Sequence, residues 1–257
     1  MKNIIKNHEK ILINQVFFSN SKWPHFELLI NDIKKISKKK EFKNILSLER
    51  GGLYGGISLF APYFNKKKFI SIDCSPKKIL KRGAYNGKFV KDKKLIKIPL
   101  DKYNSYKNIR MKENSIDLIV IPNLLHHIFD FENLFKQCKK ILKKNGSLYL
   151  FEPTLRELHQ KPEDYFRFTP YGIEKCLQKL GFKISKTNLN GGPFSAAAYC
   201  LDQAKQYIPN NKIRKYDNMF NIKKLKDLIK MDKTYKRNLM RKNSSFPVSF
   251  SVLAKLK

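Results

Sequence analysis

Five short apolar runs recur along the middle of the chain: NILSLE (44–49), KFISID (68–73), LIKIPL (95–100), DLIVIP (117–122) and SLYLFE (147–152). Each stays apolar through several consecutive positions, as strands do when both faces of a parallel sheet are buried. Parallel strands need crossovers, and the stretches between the runs have helical patterning. Ser75-Pro76 puts a cap and a proline at the start of KKILKRGAY. Asp130 can cap FENLFKQCKKILKK, where Phe131, Leu134, Phe135, Cys138, Ile141 and Leu142 recur at helical spacing before Asn145-Gly146. FELLINDIKKISKK (26–39) predicts an amphipathic helix ahead of the first strand, and Thr169-Pro170 opens YGIEKCLQKLG, which stops at Gly181. Repeated strand–helix–strand units predict a doubly wound α/β sheet. FKISKTNLN (182–190) and PVSFSVLAKL (247–256) predict two closing strands. The segment between them, with a Gly-Gly-Pro turn at 191–193 and a lysine-rich stretch near 221–242, is too long for a simple loop and predicts helices.

A chain of 257 residues is most simply one domain with elaborations, able to bury a core without staples. Cys74, Cys138, Cys176 and Cys200 are far apart and form no CxxC pair, which points away from a zinc site or a disulfide framework and toward a reducing compartment. The first residues carry no long apolar run of the secretory type, and no stretch reaches the ~18 apolar residues of a membrane span. A cytoplasmic protein is expected. The formal charge of +33 raises the question of nucleic acid or anionic membrane. The excess is lysine, however. Arginine, the better residue for bidentate phosphate contacts, stands only at positions 50, 82, 110, 156, 167, 214, 237 and 241. A solvated lysine surface is the favoured reading, with a functional basic face as the alternative.

The first run leads into LERGGLYGG, with glycines at 51, 52, 55 and 56. Glycines after a first strand let backbone approach a ligand closely. Asp73, closing the second run, is placed to bind vicinal ribose hydroxyls, and a helix start follows it. A phosphate loop GxxxxGK[ST] is not present, nor is the nicotinamide fingerprint, so an NTPase and a nicotinamide oxidoreductase are disfavoured.

These segments resemble those of class I S-adenosylmethionine-dependent methyltransferases over roughly residues 43–186, resuming in the last strand. The glycine loop followed by SIDCSPKKIL is similar to the family's first two cofactor motifs. KENSIDLIVIPNLLHHIFDFENLFKQCKKILKKNGSLYLFEP follows its pattern from strand four through strand five. DYFRFTPYGIEKCLQKLGF resembles a segment common in bacterial members of the family, including those in sugar and surface-polysaccharide pathways. The resemblance implies a seven-stranded sheet of order 3-2-1-4-5-7-6 with the last strand antiparallel. It divides one domain into an N-terminal helical segment (1–42), a cofactor-binding core (43–190), a helical insertion covering the substrate (191–245) and a final strand (246–257). It implies S-adenosyl-L-methionine as cofactor. Gly51, Gly52, Gly55 and Gly56 would pass beneath its methionine part. Asp73 would hold the ribose, Cys74 would flank the adenine, and Asp101 would meet the adenine amino group. Asn123 and Leu124 would line the methionine and adenine side. The family's acidic residue at the end of strand one is missing from its usual place, where Ser47 stands. Glu49 and Arg50 precede the glycines, and Glu49 is a candidate replacement.

The acceptor side has several open assignments. His126 and His127 follow strand four; either could serve as a base for an acceptor hydroxyl, or pack in the turn and bond to backbone. Glu152 either orients substrate or caps the next segment. Arg167 either clamps an anionic acceptor or pairs with Glu152 or Asp164. No metal-ligand constellation stands out, because His126-His127 lack i, i+4 spacing. IPNLLHH lacks the Asn/Asp-Pro-Pro-aromatic run of nucleic-acid amino-methyltransferases, which lowers that alternative. The expected function is methyl transfer to a small-molecule or sugar-like acceptor, at oxygen. A non-catalytic binding module and an RNA-modifying enzyme are the alternatives. Partners beyond the acceptor, and the oligomeric state, are not legible.

Overall fold

The computed structural model describes residues 24–49, 60–64, 67–73, 95–97, 109, 111–159, 161–209, 211–235 and 246–257. Seven strands form one sheet: β1 (Asn44–Glu49), β2 (Lys68–Asp73), β3 (Leu95–Lys97), β4 (Ile116–Pro122), β5 (Leu142–Pro153), β6 (Phe182–Asn190) and β7 (Ser249–Leu256). Their order is β3-β2-β1-β4-β5-β7-β6. β1 to β5 are parallel, while β7 runs antiparallel to both β5 and β6. This is the expected topology, with the reversed strand β7 inserted between β5 and the edge strand β6. The runs 44–49, 68–73 and 182–190 coincide with the strands observed.

Six helices flank the described sheet: α1 (Pro24–Ser37), α2 (Phe131–Ile141), α3 (Pro170–Lys179), α4 (Pro193–Lys205), α5 (Asp217–Phe220) and α6 (Ile222–Thr234). Local chemistry sets their ends. Asp130 Oδ1 accepts from Asn133 N at 3.3 Å and Thr169 Oγ1 from Gly172 N at 3.2 Å, so both expected caps form. Gly181, with φ 92°, takes the left-handed conformation that ends α3. α2 stops at Ile141, earlier than its periodicity suggests. Leu142 is already extended, and Asn145, with φ 65°, turns the chain into the body of β5.

Two apolar layers sandwich the sheet. One joins α2 and α3 to Leu46, Leu48, Ile119, Ile121, Leu148 and Leu150. The other joins α1, α4 and α6 to the opposite face through Ile45, Leu118, Val120, Tyr149 and Phe151. Burying both faces explains why the strands read as unbroken apolar runs. Asp117 fastens the amino end of the sheet: it accepts from Asn44 N at 2.7 Å and pairs with Lys143 at 2.7 Å. The carboxyl ends, where the order reverses between β1 and β4, are left for the site. The helix expected after Ser75-Pro76 lies outside the described residues.

Candidate functional site

Glu49 is the last residue of β1 and the register partner of Asp73, the last of β2. β1 therefore reaches two residues beyond Ser47, and Glu49 is the strand-end carboxylate, buried at 6% exposure. On the other side of β1, Ser47 pairs with Val120, so β4 ends level with it at Pro122. Asn123 then takes a left-handed φ of 55° while its N–H donates to the Phe151 carbonyl at 2.8 Å. Asparagine tolerates that conformation better than most side-chain-bearing residues. Its Oδ1 is buried without a hydrogen-bond partner among the described residues. A buried acceptor left bare costs about 1–3 kcal/mol unless a ligand donor reaches it. Leu124, fully buried, closes this end of the turn. Gly51, Gly52, Gly55, Gly56, Cys74 and Asp101 lie outside the described residues.

The turn continues through Leu125, His126 and His127, held from the neighbouring strand. Glu152, near the end of β5 and with no exposed surface, accepts from Leu124 N at 2.9 Å and Leu125 N at 2.6 Å through Oε1. Its Oε2 lies 2.5 Å from His126 Nδ1. These contacts of the carboxylate go to the turn after β4, not to the segment that follows β5. His126 and His127 are 1% and 2% exposed. His127 Nδ1 meets the Glu163 carbonyl oxygen, and the His126 carbonyl accepts from Tyr165 N at 2.9 Å. The histidines thus face the loop 154–169.

Arg167 grips Asp164 with both terminal nitrogens, at 2.6 and 2.8 Å, and also donates to the carbonyls of Glu157, Phe166 and Arg156. Its expected pairing with Asp164 is the one formed, and the guanidinium organises the loop. Burial alone would raise the Asp164 carboxyl; Arg167's hydrogen bonds and the His159 N–H outweigh it and hold the group down to about 2. His159, unremarked in the sequence, donates its N–H to Asp164 Oδ2 at 2.9 Å and turns Nε2 toward His126 Nε2 at 3.3 Å. Burial, then the positive charge of Arg156, pushes its imidazole down to about 3, so the ring is neutral at pH 7. The loop is tied to α4 by Tyr199, whose hydroxyl donates to Glu157 Oε2. Nothing in local spacing signals the meeting of His159 with His126 or of Tyr199 with Glu157, because both form only across the fold.

Residues 51–150, from the glycine-rich loop to the middle of β5, match a methyltransferase domain family. That match, together with the sheet order, supports a class I S-adenosylmethionine-dependent methyltransferase. Solved structures agree on the fold. The methyltransferase chain from the complex with the Haloferax volcanii Trm112 methyltransferase activator superposes at TM-score 0.54 and 12% identity, covering 90% of this chain and 89% of that one. Haemonchus contortus phosphoethanolamine N-methyltransferase 2, in complex with phosphomonomethylethanolamine and S-adenosylhomocysteine, gives TM-score 0.51 and 16% identity over 96% of this chain and 56% of that one. The [4+2]-cyclase SpnF gives TM-score 0.51 and 12% identity over 100% and 93%. No curated protein matches. The family match supports S-adenosyl-L-methionine as the cofactor, and the bare Asn123 Oδ1 at the switch point suits a ligand that carries amino donors. None of the described helices is long and apolar enough to cross a membrane.

Proposed function

We propose that the enzyme transfers a methyl group from S-adenosyl-L-methionine to a hydroxyl of a small or sugar-like acceptor. The observation that carries the cofactor side is one register pair. Glu49 and Asp73 end adjacent parallel strands, beside the unpartnered Asn123 oxygen. Asp73 would hold ribose hydroxyls, Glu49 and Asn123 would receive amino donors, and the glycines at 51, 52, 55 and 56 would leave room for the ligand's backbone-facing side. Cys74, Asp101 and Leu124 would line the adenine. When bound, the cofactor supplies an electrophilic methyl on a sulfonium. The protein's part is to place the acceptor oxygen in line and exclude water.

His126 and His127 form the wall of the acceptor side in this proposal and do not act as its base. Their Nδ1 atoms are held by Glu152 and the Glu163 carbonyl, and the rings are shut in by the 154–169 loop. Small aromatic surfaces at the rim support an uncharged or sugar-like acceptor: Phe129, 60% exposed, stacks on Phe166. The helices α4 to α6, joined to the loop through Tyr199 and Glu157, would cover the acceptor.

Calorimetry with S-adenosylmethionine and S-adenosylhomocysteine tests the cofactor side. Asp73→Ala is expected to weaken both by about ten- to a hundredfold with the fold intact, the worth of charge-assisted hydrogen bonds. Unchanged affinity would remove Asp73 from the ribose. Heat with neither ligand in the wild type would leave a binding module of other purpose. Methyl-donor consumption with hydroxylated sugars, but not with RNA, is the expected acceptor profile.

A further inference from the structure

The loop 154–169 and the turn after β4 meet at three imidazoles. Ring centroids lie 4.0 Å apart for His126 and His127, 5.1 Å for His126 and His159, and 4.9 Å for His127 and His159. Each ring turns Nδ1 to oxygen. His126 meets Glu152 Oε2 at 2.5 Å, His127 meets the Glu163 carbonyl, and His159 meets the Glu157 carbonyl and Asp164 Oδ2, both at 3.1 Å. A carbonyl or carboxylate only accepts, so it draws the imidazole proton to Nδ1. In neutral rings Nε2 of His126 and Nε2 of His159 then carry lone pairs, and these two atoms face each other at 3.3 Å. Two lone pairs at that distance repel unless a positive charge lies between them.

The separation suits a metal ion. Tetrahedral zinc with bonds of about 2.0–2.1 Å sets neighbouring nitrogens roughly 3.3–3.4 Å apart. Metal-binding histidines regularly give their other N–H to a carboxylate or carbonyl, and all three rings present that arrangement here. One possible donor atom from each of His126, His127, His159 and Asp164 lies within 4.8 Å of the others. That span exceeds one tetrahedral edge, so an ion would draw at least one group inward. Asp164 is already held bidentately by Arg167 and accepts from His159, which suits it to orienting that ring rather than to ligation.

We propose that His126, His127 and His159 bind one divalent transition-metal ion of the zinc type, which clamps the 154–169 loop onto the end of β4. The proposal concerns metal binding alone and does not depend on methyl transfer. Imidazole ligands favour zinc, cobalt, nickel and copper over magnesium or calcium. The clamp would close the acceptor side of the enzyme by adding a metal bridge to the few hydrogen bonds that join these segments.

The test uses the full chain without an affinity tag, stripped with chelator, and cobalt(II) as the probe. One equivalent is expected to bind with the visible absorption of a four- or five-coordinate nitrogen–oxygen site. Zinc should displace it and raise the thermal unfolding midpoint. His159→Gln, on the loop, should weaken cobalt binding by roughly a hundredfold or more, and His126→Gln likewise. Circular dichroism confirms that each variant is folded. Absence of saturable cobalt binding to the wild type would overturn the proposal. Binding undiminished in both folded variants would overturn it equally, by placing the ion elsewhere.

Discussion

His25 shows how one buried side chain makes stability depend on pH. Its Nε2–H donates to the Leu155 carbonyl at 3.0 Å, while Nδ1 is buried without a partner among the described residues. Protonation would place a second N–H where no acceptor waits. Burial is the main cause, Arg156 adds to it, the Leu155 carbonyl opposes it, and the group falls from 6.5 to about 3. The unfolded chain therefore binds the proton first as pH drops. His25's contribution is complete above 6.5 and is lost progressively toward 3, by about 1.4 kcal/mol per pH unit. Urea unfolding across that window is expected to show a steeper acid decline in the wild type than in His25→Gln, which keeps a donor toward Leu155. Equal slopes would mean the ring is reached by water. At the same scale, the Glu152–His126 contact was only half legible. Both residues stood out as site candidates from the ends of their strands, but that they engage each other is a consequence of β4 and β5 being neighbours.

At the scale of elements, the helical segment between β6 and β7 is held by a cap borrowed from elsewhere. α4 begins at Gly192-Pro193 with no side-chain cap of its own. Asp232, on α6, accepts from Phe194 N at 3.1 Å and Ser195 N at 2.8 Å, placing a carboxylate at the positive end of α4. Gly192 leaves space for it: a Cβ there would stand 2.5 Å from Asp232 Oδ1. Asp232→Ala is expected to cost about 1–2 kcal/mol, the worth of a good cap. Gly192→Ala should act by displacing the same carboxylate. The double variant should then cost clearly less than the two singles added together, because each removes one shared contact. Additivity in denaturant titrations would separate the two effects. The helices themselves were expected from segment length and lysine-rich periodicity. The borrowed cap could not be, since Asp232 lies 37 and 38 residues from its donors.

Over the whole molecule, the charge of +33 and the open α/β topology answer different questions. Charge governs what the surface attracts, and topology governs where a ligand can enter. A lysine-dominated surface predicts RNA binding that is weak, without sequence preference, and falls linearly with the logarithm of salt concentration. Filter-binding titrations should show it vanish at salt that leaves cofactor affinity intact. RNA binding that persists at high salt and discriminates sequences would revive a nucleic-acid acceptor. The sequence by itself marked the strands and the helix caps at Asp130 and Thr169, while the strand order was implied by the family resemblance. The strands and caps are set by periodicity and by hydrogen bonds between residues a few positions apart. Only the tertiary structure decided that Glu152 serves the turn 26 residues before it, and that His126 faces His159 across 33 residues. Such meetings depend on which strands lie side by side and how a loop returns over their ends, and local spacing carries no record of that return.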